Sequence, residues 1–451
     1  MMKRCIVLTV LLASLSPATA QNAVPPDLTK PIDINQALTI AFANNPDLRI
    51  AVDELNKARQ TVNESLARFN PQFNGQFTNT FQGPKVTVDA GALGTFDVVP
   101  NQNFTAGAVG VLPLDISKKL GYASDIARLQ FQINYQNLLT VAEALIFNVK
   151  RAYFNVLSAQ SLQEVAQKAV DNAQIQLKDA TAKFKAGTVA KFDVTRAEVQ
   201  VANNQQDLIV AKKNVATAVA SLNRLMGIDV NTPTQVVTPD NQQDFQIPDA
   251  PKAIETAYQQ RPEIRAGEIA VQLSKRNVAL QRTGILPTAN LTGNIVYQAT
   301  TSGFSSSNNS WVVTAQVQFP IWDGGITKAR VAGAHAEVAK SKDSLDQLKL
   351  RVSFEVKASI LNLQEASERV KTSSQNVALA EEALRLARVR YEAGLATLVE
   401  VTDSETALTR ARFNNVQANY DYAIAVAEIQ RSTSTQPELR ALQLLCAPPQ
   451  L

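Results

Sequence analysis

Two copies of one unit make up most of the sequence, and this duplication constrains the fold more than any single motif. Residues 183–195 read KFKAGTVAKFDVT, and the similar stretch VRYEAGLATLVEV occupies residues 389–401. Gly394 lies 207 positions after Gly187, and this spacing holds without a gap back to Pro113. We therefore expect both copies to adopt the same fold.

Apolar residues repeat in heptads around both glycines. The residues that follow the two glycines at this spacing are Val194, Val201, Leu208, Val215 and Leu222 in the first copy, and Val401, Leu408, Tyr422 and Ile429 in the second. Heptads on both sides of a short turn predict antiparallel helices that coil around each other. Each glycine fits the position just past a helix end, where a left-handed backbone costs other residues about 1–2 kcal/mol. The sequence therefore predicts two helical hairpins with tips near 187 and 394.

The helix that leads to each tip is unusually long. Residues 117–184 and 324–391 are stretches of close to 68 residues without an internal proline. At 1.5 Å per residue each helix would reach about 100 Å. Such helices bury enough surface only when they pack laterally around an axis, so a tube is favoured over a globule.

Alternating stretches precede both long helices. Phe73, Gly75, Phe77, Asn79 and Phe81 alternate with Gln, Asn and Thr, and a similar pattern occurs twice in the second copy. These patterns predict β-hairpins at about 72–114 and 288–321, with strands of about 10 residues, the length of a tilted transmembrane strand. Four strands cannot close a barrel, and open edges are not viable in lipid. Either several chains pool their strands, or the hairpins are soluble and pack on their own helices.

The strand ends carry aromatic residues, and the intervening loops are rich in Gly, Ser and Asn. Residues 83–102 and 300–310 show no helical period and are predicted to be loops. Aromatic rings collect at the two membrane surfaces of a barrel. The candidates for this membrane-interface role are Phe81, Phe104, Tyr297, Trp311 and Trp322.

The remaining segments complete the domain organisation. We predict a signal peptide at 1–20, a Pro-rich leader at 21–31, a first repeat at 32–229, a linker at 230–250, a second repeat at 251–432 and a tail at 433–451. Removing the signal peptide leaves 42 of the 44 basic residues against 40 acidic ones. This balance indicates neither a nucleic acid nor an acidic substrate as partner.

No constellation of residues indicates an enzyme. The mature chain has one histidine, His335, and one cysteine, Cys446, and neither has neighbours at metal-ligand spacing. Nucleotide-binding glycine loops and nucleophile elbows are absent from the sequence. We predict no catalytic residue, no metal site and no cofactor.

Several motifs together are similar to those of the TolC-like outer membrane efflux protein family. They are NNPDL at 44–48, QRPEI at 260–264, FPIWDGG at 319–325 and YEAGL at 391–395. The resemblance covers about residues 32–432. It implies an α+β membrane protein: a homotrimer whose chains each give four strands to a 12-stranded barrel in outer-membrane lipid, continued by a 12-helix periplasmic tunnel. It also implies an outer-membrane location in a Gram-negative-type envelope, extending into the periplasm.

The same resemblance implies function and partners. The family supplies the exit duct of tripartite efflux pumps and type I secretion systems, joined to an inner-membrane transporter by a periplasmic adaptor. In the family the helical tips receive the adaptor and open for cargo. By position, the adaptor-contacting residues are Ala186, Gly187, Thr188, Ala393, Gly394 and Leu395.

Acidic residues just beyond the tips face the narrowed lumen in the family, where a ring of like charges favours cations and raises carboxyl pKa values. Here these residues are Asp193, Glu400 and Asp403. Glu400 also fits a capping box with Thr397, which would stabilise the helix instead.

One position departs from the family pattern. Some members carry an arginine two residues after the second tip glycine, where this chain has Ala396. We therefore expect a closed state to use Arg388, Arg390 or Tyr391 with acids of an adjacent helix.

Two other function classes remain open from the residues alone. A passive outer-membrane porin would account for the strands but does not need helices of about 100 Å. A structural periplasmic coiled coil would account for the heptads but leaves the strands unused.

Overall fold

The computed structural model describes residues 31–439 apart from 85, 100–101, 239–244 and 299–308. The predicted signal peptide, most of the leader, Cys446 and most of the tail therefore lie outside the described residues. The chain divides into two compact units. A helical unit contains residues 31–53, Gln136–Ile264 and 347–439, and a sheet-containing unit contains Glu54–Tyr135 and Arg265–Asp346. Each sequence repeat contributes to both units.

Helices account for most of the described chain. In chain order they are α1 (Ile34–Asn44), α2 (Pro46–Ala67), α3 (Lys119–Lys185), α4 (Lys191–Met226), α5 (Ala250–Gln260), α6 (Pro262–Arg282), α7 (Ile326–Glu392) and α8 (Leu398–Ser432). The strands are β1 (Gln72–Phe81), β2 (Val86–Asp89), β3 (Thr95–Val99), β4 (Gln102–Leu114), β5 (Thr288–Gln298) and β6 (Asn309–Gln318). The α+β class is confirmed: long helical hairpins are combined with a small sheet.

The long helices α3 and α7 contain 67 residues each, as the absence of proline allows. Within the helical unit α5 and the start of α6 pack on α7 and α8. Their shared core contains Ala253, Ala257, Ile264, Val352, Val356, Ile360, Leu363, Ala425 and Ile429. The short helix α5 contributes small residues to this core and the long helix α7 contributes branched ones, so the two backbones can approach closely.

The main sheet has the strand order β1-β4-β5-β6, with every neighbouring pair antiparallel. The central pair β4–β5 joins the first repeat to the second, and β1 and β6 are the edges. The predicted loop at 83–102 is wrong in part, since β2 and β3 form a separate two-stranded sheet there. Strands of four and five residues, separated by a 3-10 turn, are too short to show a period. Most of the second predicted loop lies outside the described residues.

Candidate functional site

The two hairpin tips have nearly the same backbone. Gly187 and Gly394 adopt φ values of 77° and 73°, the left-handed conformation that glycine accepts without strain. In the second tip, the N–H of Leu395 donates to the carbonyl of Arg390 at 2.8 Å. The N–H of Thr188 makes the equivalent bond in the first tip, at 3.0 Å. These are Schellman ends of α3 and α7, and the predicted adaptor-contacting residues are exposed.

The helices that leave the tips begin differently. The hydroxyl of Thr397 accepts a hydrogen bond from the Glu400 N–H at 3.4 Å, so α8 has a side-chain cap. Ala190 holds the same place before α4 and provides no side-chain hydrogen bond. Asp193 lies half-buried in the first turn of α4, and Asp403 is exposed on α8.

Two arginines brace the second hairpin near its tip. Arg388 on α7 pairs with Glu405 on α8, and the Arg390 guanidinium lies 3.5 Å from the Glu400 carboxylate. Both acids belong to the adjacent helix of the same hairpin. The carboxylate of Glu400 is therefore engaged by Arg390 while its N–H is capped. Such pairs resist separation of α7 from α8 rather than separation of one hairpin from the other.

Tyr391 is one of the residues that connect the two hairpins near their tips, together with Leu398, which packs with Ala180 and Ala197 of the first hairpin. The Tyr391 ring packs with Leu384 and Leu408 of the second hairpin and also with Ala180 of the first. The ammonium of Lys183, on α3, lies 4.0 Å from the centroid of the Tyr391 ring. A cation over an aromatic face contributes about 0.5–2 kcal/mol, depending on how far it is desolvated.

Lys183 is held in this position from its own helix. Its ammonium lies 3.1 Å from the Asp179 carboxylate, one turn earlier. Burial alone lowers the pKa of Lys183, but the hydrogen bond with Asp179 and the proximity of Tyr391 outweigh it and the pKa is raised. The side chain therefore stays charged at neutral pH, as a cation–π contact requires.

The main sheet presents one apolar and one polar face. Phe104, Tyr297 and Trp311 lie on the same face, because the strand registers place them on equivalent sides. Phe81 is on this face too, and Trp322 follows the end of β6. Trp311 and Trp322 are 75% and 87% exposed. The opposite face is largely polar, with Asn, Gln, Thr and Ser side chains, but it also carries Val109, Val111, Val296 and Val312.

A buried charged cluster lies in the helical unit. Glu143 of α3 is 3% exposed, and Arg261 between α5 and α6 is also 3% exposed. Arg261 pairs with Glu263 and, at 2.9 Å, with Glu355 of α7. Burial and then the charge of Glu263 raise the pKa of Glu143 to about 7, against the opposing effects of Arg261 and Arg431. The cluster joins α3 of the first repeat to elements of the second.

Neither Lys183 nor Glu143 was among the sequence-predicted site residues. The sequence around Lys183 contains no pattern that identifies Tyr391 as its contact. The duplication does carry one signal for Glu143, since the position 207 residues later is Leu350. An acid that replaces an apolar residue of the other copy indicates a different environment.

Other site classes find no support among residues 31–439. Over the described part of that range, no group of three or more His, Cys, Asp and Glu could hold a metal ion. No described helix combines the length and apolar character of a membrane-spanning helix. His335 is exposed on α7, with its Nε2 3.4 Å from Arg282.

Comparisons with known proteins agree with this architecture. The family model described as outer membrane efflux protein matches residues 37–228 and 253–435. The chain is 24% identical over 393 residues to the cation efflux system protein CusC of Escherichia coli K12, covering 86% of this chain and 83% of the relative. It is 24% identical over 433 residues to the outer membrane protein TolC of the same strain, covering 92% and 85%.

Solved structures share the fold. The Campylobacter jejuni CmeC outer membrane channel superimposes with a TM-score of 0.77 at 16% identity, covering 91% of this chain and 89% of that one. A crystal structure of CusC gives a TM-score of 0.76 at 22% identity, covering 89% and 91%. The two halves of the family match fall on the two sequence repeats.

Proposed function

Because the chain belongs to the outer membrane efflux protein family, we propose that three copies form the exit duct of a tripartite efflux pump or type I secretion system. The duct would pass small molecules or proteins from an inner-membrane transporter across the periplasm and outer membrane. The observation that carries this proposal is the four-stranded sheet with an apolar face, a polar face and two unpaired edges. Lipid permits such a sheet only within a closed barrel.

Cell fractionation combined with deletion tests this function. We expect detergent to be required to extract the chain from the outer membrane, because Phe73, Phe77 and Trp311 would face lipid with 75–80% of their surface exposed in one chain. We also expect deletion to sensitise cells to dyes and detergents. A chain that is soluble without detergent, or a deletion without sensitisation, would contradict the proposal.

The tips are the proposed contact with a periplasmic adaptor. Leu395 is 72% exposed at the second tip, and an exposed large apolar side chain at a turn suits a partner surface. Leu395→Glu should reduce recovery of adaptor and transporter when the chain is purified from crosslinked cells. Leu379→Glu is the matched control, since Leu379 is 70% exposed on α7 but is away from the turn. Equal recovery with both variants would argue against this contact.

The contact between Lys183 and Tyr391 is the proposed restraint on opening. It joins the two hairpins of one chain, whereas Arg388 and Arg390 brace only the second hairpin. Lys183→Met keeps the aliphatic stem and removes the charge, so we expect higher single-channel conductance in planar bilayers. Lys185→Met is the matched control, because Lys185 is exposed at the end of α3. Unchanged conductance in Lys183→Met would oppose this assignment.

The same measurement tests the two arginines. We expect simultaneous alanine replacement of Arg388, Arg390 and Tyr391 to raise conductance further. This variant loses the two ion pairs within the second hairpin and also the contact of Tyr391 with Lys183 of the first hairpin. Unchanged conductance would mean that these side chains do not hold the tips.

The acids beyond the tips are proposed to select cations. Asp403 is exposed and Asp193 is half-buried, whereas Glu400 has Arg390 as partner. Threefold repetition would place each in a ring of like charge. Asp403→Asn should therefore reduce the preference of the open channel for potassium over chloride more than Glu400→Gln does. Reversal potentials in a salt gradient measure this preference, and equal potentials for wild type and Asp403→Asn would exclude a lumen ring at that position.

A further inference from the structure

One face of α3 is covered by the end of α8 and by the segment that follows α8. The guanidinium of Arg431 lies 5.3 Å from the centroid of the Phe147 ring. The Glu438 carboxylate lies 3.0 Å from the ammonium of Lys150, whose side chain is only 10% exposed. Glu143 precedes Lys150 by seven residues, about two helical turns, so both lie on this face. The first repeat therefore meets the last described residues of the chain here.

The segment that follows α8 is folded closely against the helical unit. Residues 433–439 are called the closing segment below. The N–H of Thr435 donates to the carbonyl of Gln430 at 2.8 Å, so the chain turns at the end of α8. Three residues of the closing segment are nearly inaccessible, with exposures of 3%, 0% and 1% for Ser434, Gln436 and Leu439. A segment near a chain end stays ordered when it is tied down, and the ion pair with Lys150 provides such a tie.

Ser434 holds a backbone conformation that favours glycine. Its φ is 54°, in the left-handed region that costs free energy for a residue with a side chain. Gly227, 207 positions earlier, occupies the equivalent turn after α4 with φ 70°. The Ser434 hydroxyl approaches Glu143 and opposes the rise in the pKa of that carboxyl. Strain of this kind persists where the surrounding structure stabilises it, which is typical of functional sites.

The atoms beside the closing segment have more hydrogen-bonding capacity than the protein satisfies. Arg261, Glu263 and Arg431 all act on the pKa of Glu143, so the four residues form one cluster. Five buried atoms of this cluster have no hydrogen-bond partner among the described residues: Oε1 of Glu143, Nε and Nη1 of Arg261, Oε2 of Glu263 and Nε of Arg431. Buried polar atoms are nearly always paired, with protein or with ordered water. A bound ligand at this junction would pair them.

The chemistry of these five atoms selects the ligand. Three are N–H donors of arginine and two are carboxyl oxygens, and water alone can both donate and accept among them. The cluster is also balanced in charge at mildly acidic pH, since Arg261 and Arg431 face Glu263 and Glu355 while Glu143 is neutral. An ion would leave a net charge in a buried site. Within the described chain, no group of His, Cys, Asp and Glu could hold a metal ion.

We propose that this junction is an internal hydration site, in which about two water molecules bridge Glu143 of the first repeat to Arg261 and Arg431 of the second. The number follows from five unpaired atoms and about three hydrogen bonds per buried water. The closing segment separates this water from bulk solvent, and the ion pair of Glu438 with Lys150 holds the segment on α3. The site goes beyond the proposed duct and does not depend on transport.

A structure of the full-length wild-type chain in detergent, at a resolution that shows ordered water, tests the ligand. We expect density within hydrogen-bond distance of Glu143 Oε1 and of Arg261 Nε and Nη1. Crystals soaked in rubidium or bromide identify a cation or an anion by its anomalous signal. A rubidium or bromide peak in the cluster, direct hydrogen bonds among the five atoms, or a cluster without ordered density would overturn the assignment to water.

Cysteine labelling tests the closing segment. Ser434→Cys, in a chain with Cys446→Ser, should react slowly with a small charged methanethiosulfonate, because residue 434 is 3% exposed. Adding Glu438→Gln should raise the rate about tenfold, the effect of about 1.4 kcal/mol on a local opening equilibrium. Adding Glu164→Gln is the matched control. Glu164 also pairs with a lysine of α3, Lys168 at 2.7 Å, but this pair is exposed and the rate should not change.

Charge reversal gives an independent check of the ion pair. Lys150→Glu should accelerate labelling of Ser434→Cys, and adding Glu438→Lys should slow it again. Equal rates with Glu438→Gln and Glu164→Gln, or no slowing in the double reversal, would show that the pair does not hold the closing segment.

The outcomes are independent of the proposed function. The density readout uses the wild-type chain, so it decides the hydration site even if Ser434→Cys fails to fold. A dry or ion-filled junction overturns this inference and leaves the duct in place. A chain that proves to be a soluble monomer removes the duct, and the same junction within that monomer should still be hydrated.

Discussion

The buried carboxyl of Glu143 should make the stability of the helical unit depend on pH near neutrality. Its surroundings contain Arg261 and Glu263 from the α5–α6 corner and Arg431 from α8. Burial is the largest influence and raises the pKa to about 7 from the usual 4.5. Oε1 of Glu143 is buried without a hydrogen-bond partner among the described residues. Replacing Glu143 by Gln keeps the shape and removes the titration.

The expected magnitude follows from the size of the shift. One pKa unit corresponds to about 1.36 kcal/mol, so a change from 4.5 to about 7 corresponds to about 3 kcal/mol. The folded state binds the proton more tightly than the unfolded state does. The contribution of Glu143 to the free energy of unfolding is therefore fully present below pH 4.5, and the free energy of unfolding falls by this amount as the pH rises through 7. Glu143→Gln should match the wild type near pH 5 and exceed it near pH 8.

Thermal unfolding followed by circular dichroism measures this difference. An unfolding entropy of about 2.1 cal/mol/K per residue, applied to 451 residues, converts about 3 kcal/mol into a Tm difference of about 3 °C. Detergent-solubilised wild type and Glu143→Gln are compared at several pH values between 5 and 8. Other groups titrate alike in both proteins, so only the difference between their Tm values is interpreted.

Glu164 provides the matched control on the same helix. Its carboxylate is exposed and accepts a hydrogen bond from Lys168 at 2.7 Å, which lowers its pKa. Glu164→Gln should shift Tm by an amount that does not vary between pH 5 and 8, because Glu164 is ionised throughout. Parallel Tm curves for wild type and Glu143→Gln would refute the assignment of a neutral carboxyl to this cluster.

Three further changes have outcomes fixed by local geometry. Gly394→Ala adds a Cβ in open space, so it should lower the free energy of unfolding only by the cost of a left-handed backbone, about 1–2 kcal/mol. Gly227→Ala has the same backbone cost and also places its Cβ 2.4 Å from a carbonyl oxygen of α1, so it should lower Tm more. Ser373 on α7 donates a hydrogen bond to Asn415 on α8 at 3.2 Å, and the first repeat has Ala and Leu at the corresponding positions. Ser373→Ala with Asn415→Leu should leave Tm equal or higher, because both partners of the bond are replaced by apolar residues. Ser373→Ala alone should lower Tm, because Asn415 loses its partner. Tyr153→Phe removes a hydroxyl that donates to the carbonyl of Ile32 at 2.9 Å, so limited proteolysis should cut faster near residue 32.

The long helices and the strands were predictable because each follows a period that the sequence displays directly. Heptads on both sides of Gly187 fixed the first hairpin, and the absence of proline fixed the length of α3. Alternation predicted β1 and β6 for the same reason. The duplication then transferred each conclusion to the other copy. Local pattern and global fold agree at these positions, as they do in well-specified sequences.

The candidate site was less predictable, because its contacts join residues that no period relates. Tyr391 was identified, but its partner was expected to be an acid and is Lys183 together with the first hairpin. Arg388 and Arg390 do meet acids, on the helix that follows in the same hairpin. Partner choice between packed helices depends on their axial offset, and a heptad pattern specifies the seam without specifying that offset.

Corresponding positions of the two repeats carry a charged contact in one repeat and an uncharged one in the other. At the corner before α6 the second repeat has buried Arg261, whereas the first has Asn45, which caps α2 by accepting from the Leu48 N–H at 3.1 Å. Glu143 lies beside Arg261, and the position 207 residues after Glu143 is Leu350, which is 72% exposed. A charge pair needs its partner to remain buried beside it, because removing one member leaves the other unpaired at a cost of about 3–5 kcal/mol. Arg261 therefore depends on the acids that surround it, Glu263 and Glu355, whereas Asn45 makes its hydrogen bond to the helix that it caps and needs no charged partner.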